Sequence, residues 1–366
     1  MRNFTKAKRI VIKIGTNTLS KNSGIDSAYI RNIAKQIADL IKNKKQVLIV
    51  SSGAIGMGAG QIDHKEKVMG IKMRQACAAI GQPLLMQEYR KAFARYNITV
   101  AQVLLTAEVL NNRKTYLNLK NALESLLKLG VVPILNENDS VATEEIKSAF
   151  GDNDSLSALI ASKIDADLLI MLSDIDGLYD KDPRKFKDAK PIPAVFEITE
   201  KIMHSAGKSG SKHATGGMKT KLIAAQIASN AGCRLILTNG RQKDVLKNIL
   251  AGEEIGTIFM PKRKLSNRTR WILNSTPAGT IYIDAGAEKA IKSKKSLLPT
   301  GVTDVKDNFQ AGAVIMINDI AKAVTAFSSS ELKMLAGKKS EEIKKMLGSD
   351  SRHIIARPEN IVLLDY

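Results

Sequence analysis

The sequence predicts an α/β protein: a three-layer αβα sandwich around a mainly parallel sheet, followed by a small β-rich domain. Three observations carry this. Over roughly the first 260 residues, short β-branched runs alternate with helix-period patterns, the order that parallel sheets with helices on both faces require. Near Pro261 the pattern changes to short strands punctuated by Gly and Pro. The chain, at 366 residues, is long enough for two or three domains with real cores.

Taken in order, the first strand is predicted over 10–14 and the first helix over 29–41, where Ile30, Ile33, Ile37, Leu40 and Ile41 share a face. Strand 47–50 runs into SSGAIGMGAG. A helix is expected over 73–96, with a bend at Gly81 to Pro83, then strand 99–105, helix 116–129 and strand 131–135. Helix 156–163, strand 168–172, helix 219–230 and strand 235–237 complete the alternation. Beyond it, GTIYID, LLPTGV, FQAGAVIMIN and AKAVTAF read as short strands, AEKAIK as a short helix, and 330–347 as helix. The expected boundaries are a catalytic domain at 1–261, a basic linker at 262–275, a β-rich domain at 276–352 and a tail at 353–366.

Apolar residues make up 44% and charged residues 25%, which excludes wholesale disorder. No apolar run reaches the ~20 residues that span a bilayer. The start, MRNFTKAKRIVIKIG, lacks a signal peptide's apolar stretch and cleavage site, and Cys77 and Cys233 make neither a disulfide framework nor a zinc cluster. The expectation is a reduced, cytoplasmic protein with no membrane contact. Net charge is +20, with 41 of 56 basic residues being Lys. It is spread along the chain except for KRKLSNRTR, and 262–274 holds five basic and no acidic side chains. Such a balance favours anionic partners in general over nucleic acid in particular.

In parallel sheets ligands bind beyond the carboxyl ends of the strands, so the residues after each strand carry the chemistry. Lys13 stands in an apolar strand, where an ammonium must reach water or an anion, and Gly15 follows it. The glycines of 51–60 offer amides to phosphate or carboxylate, or form a flexible turn. The loop fits neither G-x-G-x-x-G nor G-x-x-x-x-G-K-[ST], which disfavours a dinucleotide-binding dehydrogenase and a P-loop kinase. Asn136, Glu137, Asn138 and Asp139 end a strand and can receive an ammonium and hydroxyls, or make an Asx turn. Gly151, Asp152, Asn153, Asp154 and Ser155 precede a helix, as organisers of cationic groups or as a cap. The SDIDG segment at 173–177 lacks the spacing of a calcium loop. Thr215, Gly216, Gly217, Met218, Lys219, Thr220 and Lys221 run into a helix and suit a polyphosphate, or form a hinge. Together these segments describe a nucleotide site without a P-loop, facing a small polar acceptor.

The order VIKIGTNTL, VSSGAIGMG, ILNENDSVA, GDNDSLSA, LSDIDGLYDKDP, ATGGMKTK resembles the amino acid kinase family over roughly residues 9–260, in the branch that phosphorylates the side-chain carboxylate of L-glutamate. Residues 276–352 look like a PUA domain, the usual appendage of that branch in bacteria. The resemblance implies an amino acid kinase-like sandwich that makes L-glutamyl 5-phosphate from glutamate and ATP with Mg2+, the committing step of proline synthesis, under feedback inhibition by proline. It implies catalytic roles for Lys13, Lys221, Asp152 and Asp154. It places glutamate on Ser52, Gly53, Asn138, Asp139 and Asn153. It places ATP on Lys13, Gly15, Ser173, Asp174, Thr215, Gly216, Gly217, Met218, Lys219, Thr220 and Lys221, and names no protein residue as a metal ligand. The partners it implies are a second copy or more of the chain, as dimer or tetramer, and a transient contact with the glutamyl phosphate reductase that consumes the product. RNA binding by the PUA-like domain rests on fold analogy alone.

A side-chain carboxylate is already ionised near neutrality, so the absence of a His or Ser-His pair fits an acceptor that needs no general base. Two readings of different class stand side by side. One is this kinase. The other is an RNA-binding or regulatory protein on a kinase fold, which intact Lys13, Asp152, Asp154 and Lys221 disfavour. Within the enzyme class the rival acceptors are aspartate, N-acetylglutamate, carbamate and UMP, and Asp139 argues for one with a free amino group.

Overall fold

The computed structural model describes residues 2–21, 24–64, 66, 68–141, 153–207, 217–262, 264–339, 341–343 and 353–364. They fall into two compact units, Met1–Val109 with Lys114–Lys264, and Leu110–Arg113 with Leu265–Tyr366. Among the described residues no helix is long and apolar enough to cross a membrane.

In the first unit, β1 (Arg9–Ile14), β2 (Gln46–Ser51), β3 (Val100–Leu105), β4 (Val132–Glu137), β5 (Leu168–Ser173), β6 (Ala194–Val195), β7 (Arg234–Asn239) and β8 (Thr257–Phe259) form one sheet. Their order is β6-β8-β7-β5-β1-β2-β4-β3. Every pairing is parallel except β7 with β8. From β1 the chain builds outward through β2, then returns to lay β5 on the other flank of β1. That reversal puts the crevice favoured by ligands at the carboxyl ends of β1 and β5.

Alternation along β1 decides which layer each side chain meets. Ile10, Ile12 and Ile14 face one way and pack with Ile30, Ile33 and Ile37 of α2 (Ser27–Lys42). Leu85, Tyr89 and Phe93 of α4 (Ile71–Ala94) join that layer, as do Val245, Leu246 and Ile249 of α10 (Val245–Ala251). Each such buried side chain contributes about 2 kcal/mol through area removed from water. Val11 and Lys13 face the opposite layer, which holds α7 (Asn153–Lys163) and α9 (Met218–Asn230), packed on each other. The helices between these are α1 (Thr16–Leu19), α3 (Ala54–Gln61), α5 (Ala107–Asn111), α6 (Arg113–Lys128) and α8 (Glu200–Gly207).

Two expectations for this unit change. The glycine-rich stretch after β2 is a loop only as far as Gly53, which takes the left-handed conformation with φ 95° and caps α3. The other glycines lie in the helix, and α3 crosses α4 at backbone contact. A Cβ on Gly58 would stand 1.9 Å from the Cys77 carbonyl oxygen, and one on Gly81 would stand 1.8 Å from that of Ala54. Close packing, rather than a cradle of free amides, accounts for Gly58. The predicted bend near Gly81 is likewise the crossing point, and α4 runs as one helix through Pro83.

The second unit is built on β9 (Thr280–Ile283), β10 (Val302–Lys306), β11 (Val314–Ile317), β12 (Ala321–Val324) and β13 (Ile361–Leu363), in the order β10-β9-β11-β12-β13. Ile281, Ile315, Ile317, Ala321, Ala323 and Leu332 lie in its core. The stretch expected as a basic linker carries α11 (Asn267–Asn274) within this unit, with Arg270 and Trp271 buried. Lys322 donates to the Leu273 and Ser275 carbonyls, each at 2.8 Å, closing the end of α11. The stretch expected as a tail supplies β13, paired with β12. The remaining helices are α12 (Ala285–Lys292) and α13 (Ser329–Leu335).

Candidate active site

Lys13 leaves β1 on the α7 side, and α7 begins at Asn153, so the first turn of α7 meets it. Asp154, fully buried, takes Lys13 Nζ at 2.6 Å on Oδ1 and Lys221 Nζ at 3.0 Å on Oδ2. Lys13 is 5% and Lys221 7% exposed. Burial pushes the Asp154 carboxyl up, but the Lys13 and Lys221 ammoniums outweigh it and hold the group below the ordinary aspartate range. An ammonium has three N–H donors. Lys13 and Lys221 each commit one to Asp154, and no other partner holds either among the described residues. Two buried cations with unengaged donors, fixed by one anion, are a ready receptor for a more highly charged anion.

The start of α9 adds to this. Gly217 is its N-cap, extended, and among the described residues nothing lies within 4 Å of where its Cβ would stand. Among the described residues no side chain caps the first amides of this thirteen-residue helix, and such amides suit an anion. Helical spacing separates the two lysines of this turn: Lys219 is exposed, whereas Lys221 is buried on Asp154. Thr220 Oγ1 lies 3.1 Å from Asp154 Oδ2 and 2.8 Å from the Gly217 carbonyl, with one proton to serve both. Met218 is half-buried in the same turn.

At the end of β5, Asp174 accepts from Asn17 Nδ2 at 2.8 Å and from Ser173 Oγ at 3.1 Å. Burial raises its carboxyl, yet these bonds and the Lys221 charge leave it below the ordinary value. The Gly15 amide is already bonded to the Leu172 carbonyl at 3.0 Å, so this glycine does not offer its N–H to a ligand. Its missing side chain leaves space beside Lys13, whose Nζ would lie 3.6 Å from a Cβ.

The acceptor side centres on Asn153. Its Nδ2 lies 2.8 Å from Ser52 Oγ, 2.9 Å from the Ser51 carbonyl and 3.0 Å from Asn136 Oδ1. Its Oδ1 is buried and has no partner among the described residues, which leaves an acceptor for a donor group on a ligand. Asn138 is tied locally: its amide bonds the Leu105 carbonyl at 2.7 Å, and its Oδ1 accepts from Ser140 at 2.6 Å. Asp139 follows in the same turn, half-buried. A Cβ on Gly53 would stand 3.8 Å from Ile25 Cδ1 and 3.9 Å from Leu19 Cδ1. A cavity of about 270 Å³ opens beside it, bounded by Ser20, Ile25 and Met57 among others.

The structure therefore gathers Lys13, Asp154, Thr220 and Lys221 at one point and Ser52 and Asn153 beside it. Asp152, Thr215 and Gly216 lie outside the described residues. Asn136 belongs to the strand-end segment expected to receive polar groups but not to the residues on which the resemblance places glutamate, and Asn17 belongs to neither. A polar residue buried at the end of an apolar strand was the available signal for Asn136, and nothing in the sequence singled out Asn17. Among the described residues no cluster of three or more His, Cys, Asp or Glu is placed to cage a metal ion.

Comparison with known proteins adds independent findings. Residues 8–239 match the model of the amino acid kinase family, and residues 279–347 match the PUA domain. A glutamate 5-kinase of Methanosarcina mazei is 45% identical over 99% of this chain and 97% of its own length. That of Methanosarcina barkeri is 46% identical over 98% and 97%. One from a Thermoanaerobacter species is 45% identical over 98% of both chains.

Proposed function

The chain belongs to the amino acid kinase family, among its glutamate 5-kinases, and we propose that it transfers the γ-phosphoryl group of ATP to the side-chain carboxylate of L-glutamate. The observation that carries this is the convergence of Lys13 and Lys221 on Asp154 at the carboxyl edge of the sheet, next to the start of α9.

The chemistry asks little covalent work of the protein. A glutamate carboxylate oxygen forms a bond to the γ-phosphorus, the bond from that phosphorus to the bridging oxygen breaks, and ADP leaves with the electron pair. The obstacle is repulsion between two anions. Lys13 and Lys221 reduce it by directing unengaged N–H donors at the transferring group from β1 and α9. Asp154 holds both ammoniums in place before substrate arrives, so little reorganisation remains for the reaction step. The α9 amides and Lys219 serve the outer phosphates, and Asp174 lies on the nucleotide side.

Magnesium fits this site as a companion of the nucleotide. Asp154 is already occupied by two ammoniums, and Mg2+ keeps most of its ligands from phosphates and water, so the residues present call for no protein cage. Bound there, the ion would neutralise phosphate charge.

Asn153 Oδ1, Ser52 and Asp139 suit the polar backbone of an amino acid acceptor. Proline shares the α-nitrogen and α-carboxylate of glutamate, and the proposal extends to proline as an inhibitor on that side. A hydroxylamine-trapping assay tests both points. Glutamate with ATP and magnesium should yield hydroxamate, aspartate and N-acetylglutamate far less, and proline should lower the rate. Preference for another acceptor contradicts the glutamate assignment, and indifference to proline contradicts only the inhibition.

A further inference from the structure

A cationic side chain outside both substrate sets ties the two halves of the site together. Arg241 follows β7, in the turn where the Gly240 amide donates to the Ser173 carbonyl at 2.8 Å, beside Asp174. Its Nη1 bonds Asp26 Oδ2 at 2.6 Å, its Nη2 donates to the Ser20 carbonyl at 2.9 Å, and its guanidinium stacks 5.2 Å from the Tyr29 ring centre. Asp26 is the N-cap of α2, accepting from the Tyr29 amide at 3.0 Å through its other oxygen. Ser20 belongs to a short antiparallel ribbon, Ser20–Lys21 with Gly24–Ile25. Ile25 and Leu19 are the side chains that a Cβ on Gly53 would meet, at 3.8 and 3.9 Å, and Gly53 is the residue that turns the acceptor loop into α3. The same ribbon forms one wall of the cavity beside Gly53.

We propose that Arg241 is a positioning residue for the acceptor side: it fixes the ribbon of Ser20–Lys21 and Gly24–Ile25 beside Gly53 from a turn anchored on the nucleotide side. The geometry is selective. A planar guanidinium can bond a carboxylate, bond a carbonyl and stack on a ring at once, whereas an ammonium can do one or two of these. The ribbon has only two residues on each strand, too few to hold its place alone. The latch side chain is 41% exposed, which limits its effect to a moderate one.

The inference rests on the reading of this site as an amino acid kinase, and its test keeps the two apart. The acceptor panel on the unmodified enzyme first identifies the amino acid used, and the latch is then read on that acceptor. Arg241→Met should raise the acceptor KM by roughly three- to tenfold, the scale of one partly exposed charge-assisted contact. The KM for ATP and kcat should stay within about twofold. Asp26→Asn keeps an N-cap acceptor while removing the charge, and should show the same split. The double variant should be no worse than Arg241→Met alone, because both remove one latch. Arg241→Lys should recover part of the loss. An unchanged acceptor KM in folded Arg241→Met would overturn the proposal. Equal rises in both KM values, or effects of the two variants that simply add, would also overturn it.

Discussion

Asn153 and Asp154, adjacent at the start of α7, serve opposite neighbours: Asn153 Nδ2 lies 2.8 Å from Ser52 Oγ, while the Asp154 carboxylate lies between Lys13 and Lys221. One helical turn thus sets the acceptor side and the phosphoryl side in register. Any movement of α7 disturbs both.

Asp154→Asn should therefore cost turnover more than substrate binding. Loss of the anion leaves two buried ammoniums facing each other without compensation. A fall of about a hundredfold or more in kcat is expected, on the scale of one misplaced charge donor. Steady-state kinetics on the folded variant check this, and a kcat near that of the parent would contradict it.

The same carboxylate gives a signed pH dependence. Its folded value lies below the ordinary one, at about 2. Its contribution to stability is complete above the unfolded value of about 3.9 and is lost as pH falls through the folded value. The difference in urea midpoint between the parent and Asp154→Asn should be constant from neutrality down to about pH 5, then shrink. A difference that does not change with pH would remove Asp154 from the ion pairs.

Asn153→Ala should act on the other side. It removes the buried Oδ1 and the amide that joins Ser52, the Ser51 carbonyl and Asn136. The acceptor KM should rise about tenfold or more, with the ATP KM nearly unchanged. Equal changes in both would show a structural role only.

Thr220→Val retains the branched shape of the side chain and deletes the hydroxyl beside Asp154 Oδ2. A moderate loss in kcat is expected, about three- to tenfold, with recovery in Thr220→Ser. Loss without recovery in the serine variant would assign the effect to packing.

Gly81→Ala should lower stability, because its Cβ would meet the Ala54 carbonyl 1.8 Å away and α3 would have to move off α4. Overpacking of backbone on backbone costs about 3 kcal/mol or more, visible as a fall in melting temperature. Ala54 follows Gly53, so the acceptor KM should rise with it.

Much of this architecture is legible in the residues. The β-branched runs that became β1, β2, β4, β5 and β7 are bounded by polar or glycine turns, and alternation along 10–14 places Lys13 apart from its apolar neighbours. The helix expected from 330 begins as α13, which Ser328 and Glu331 open with a capping box and which ends at Leu335. Local propensity opposes a helix at the glycines after β2, while contact with α4, which no local pattern shows, favours one. The Asn17 bond to Asp174 and the Arg241 latch join residues 157 and 215 positions apart, and no local pattern announces pairings of that range.

The most direct measurement is single-turnover phosphoryl transfer by Lys13→Met and Lys221→Met, each shown to be folded and to bind ATP. Both lysines donating to the transferring group predicts a loss of about a hundredfold or more in each. A parent-like rate in either variant would contradict the two-lysine account.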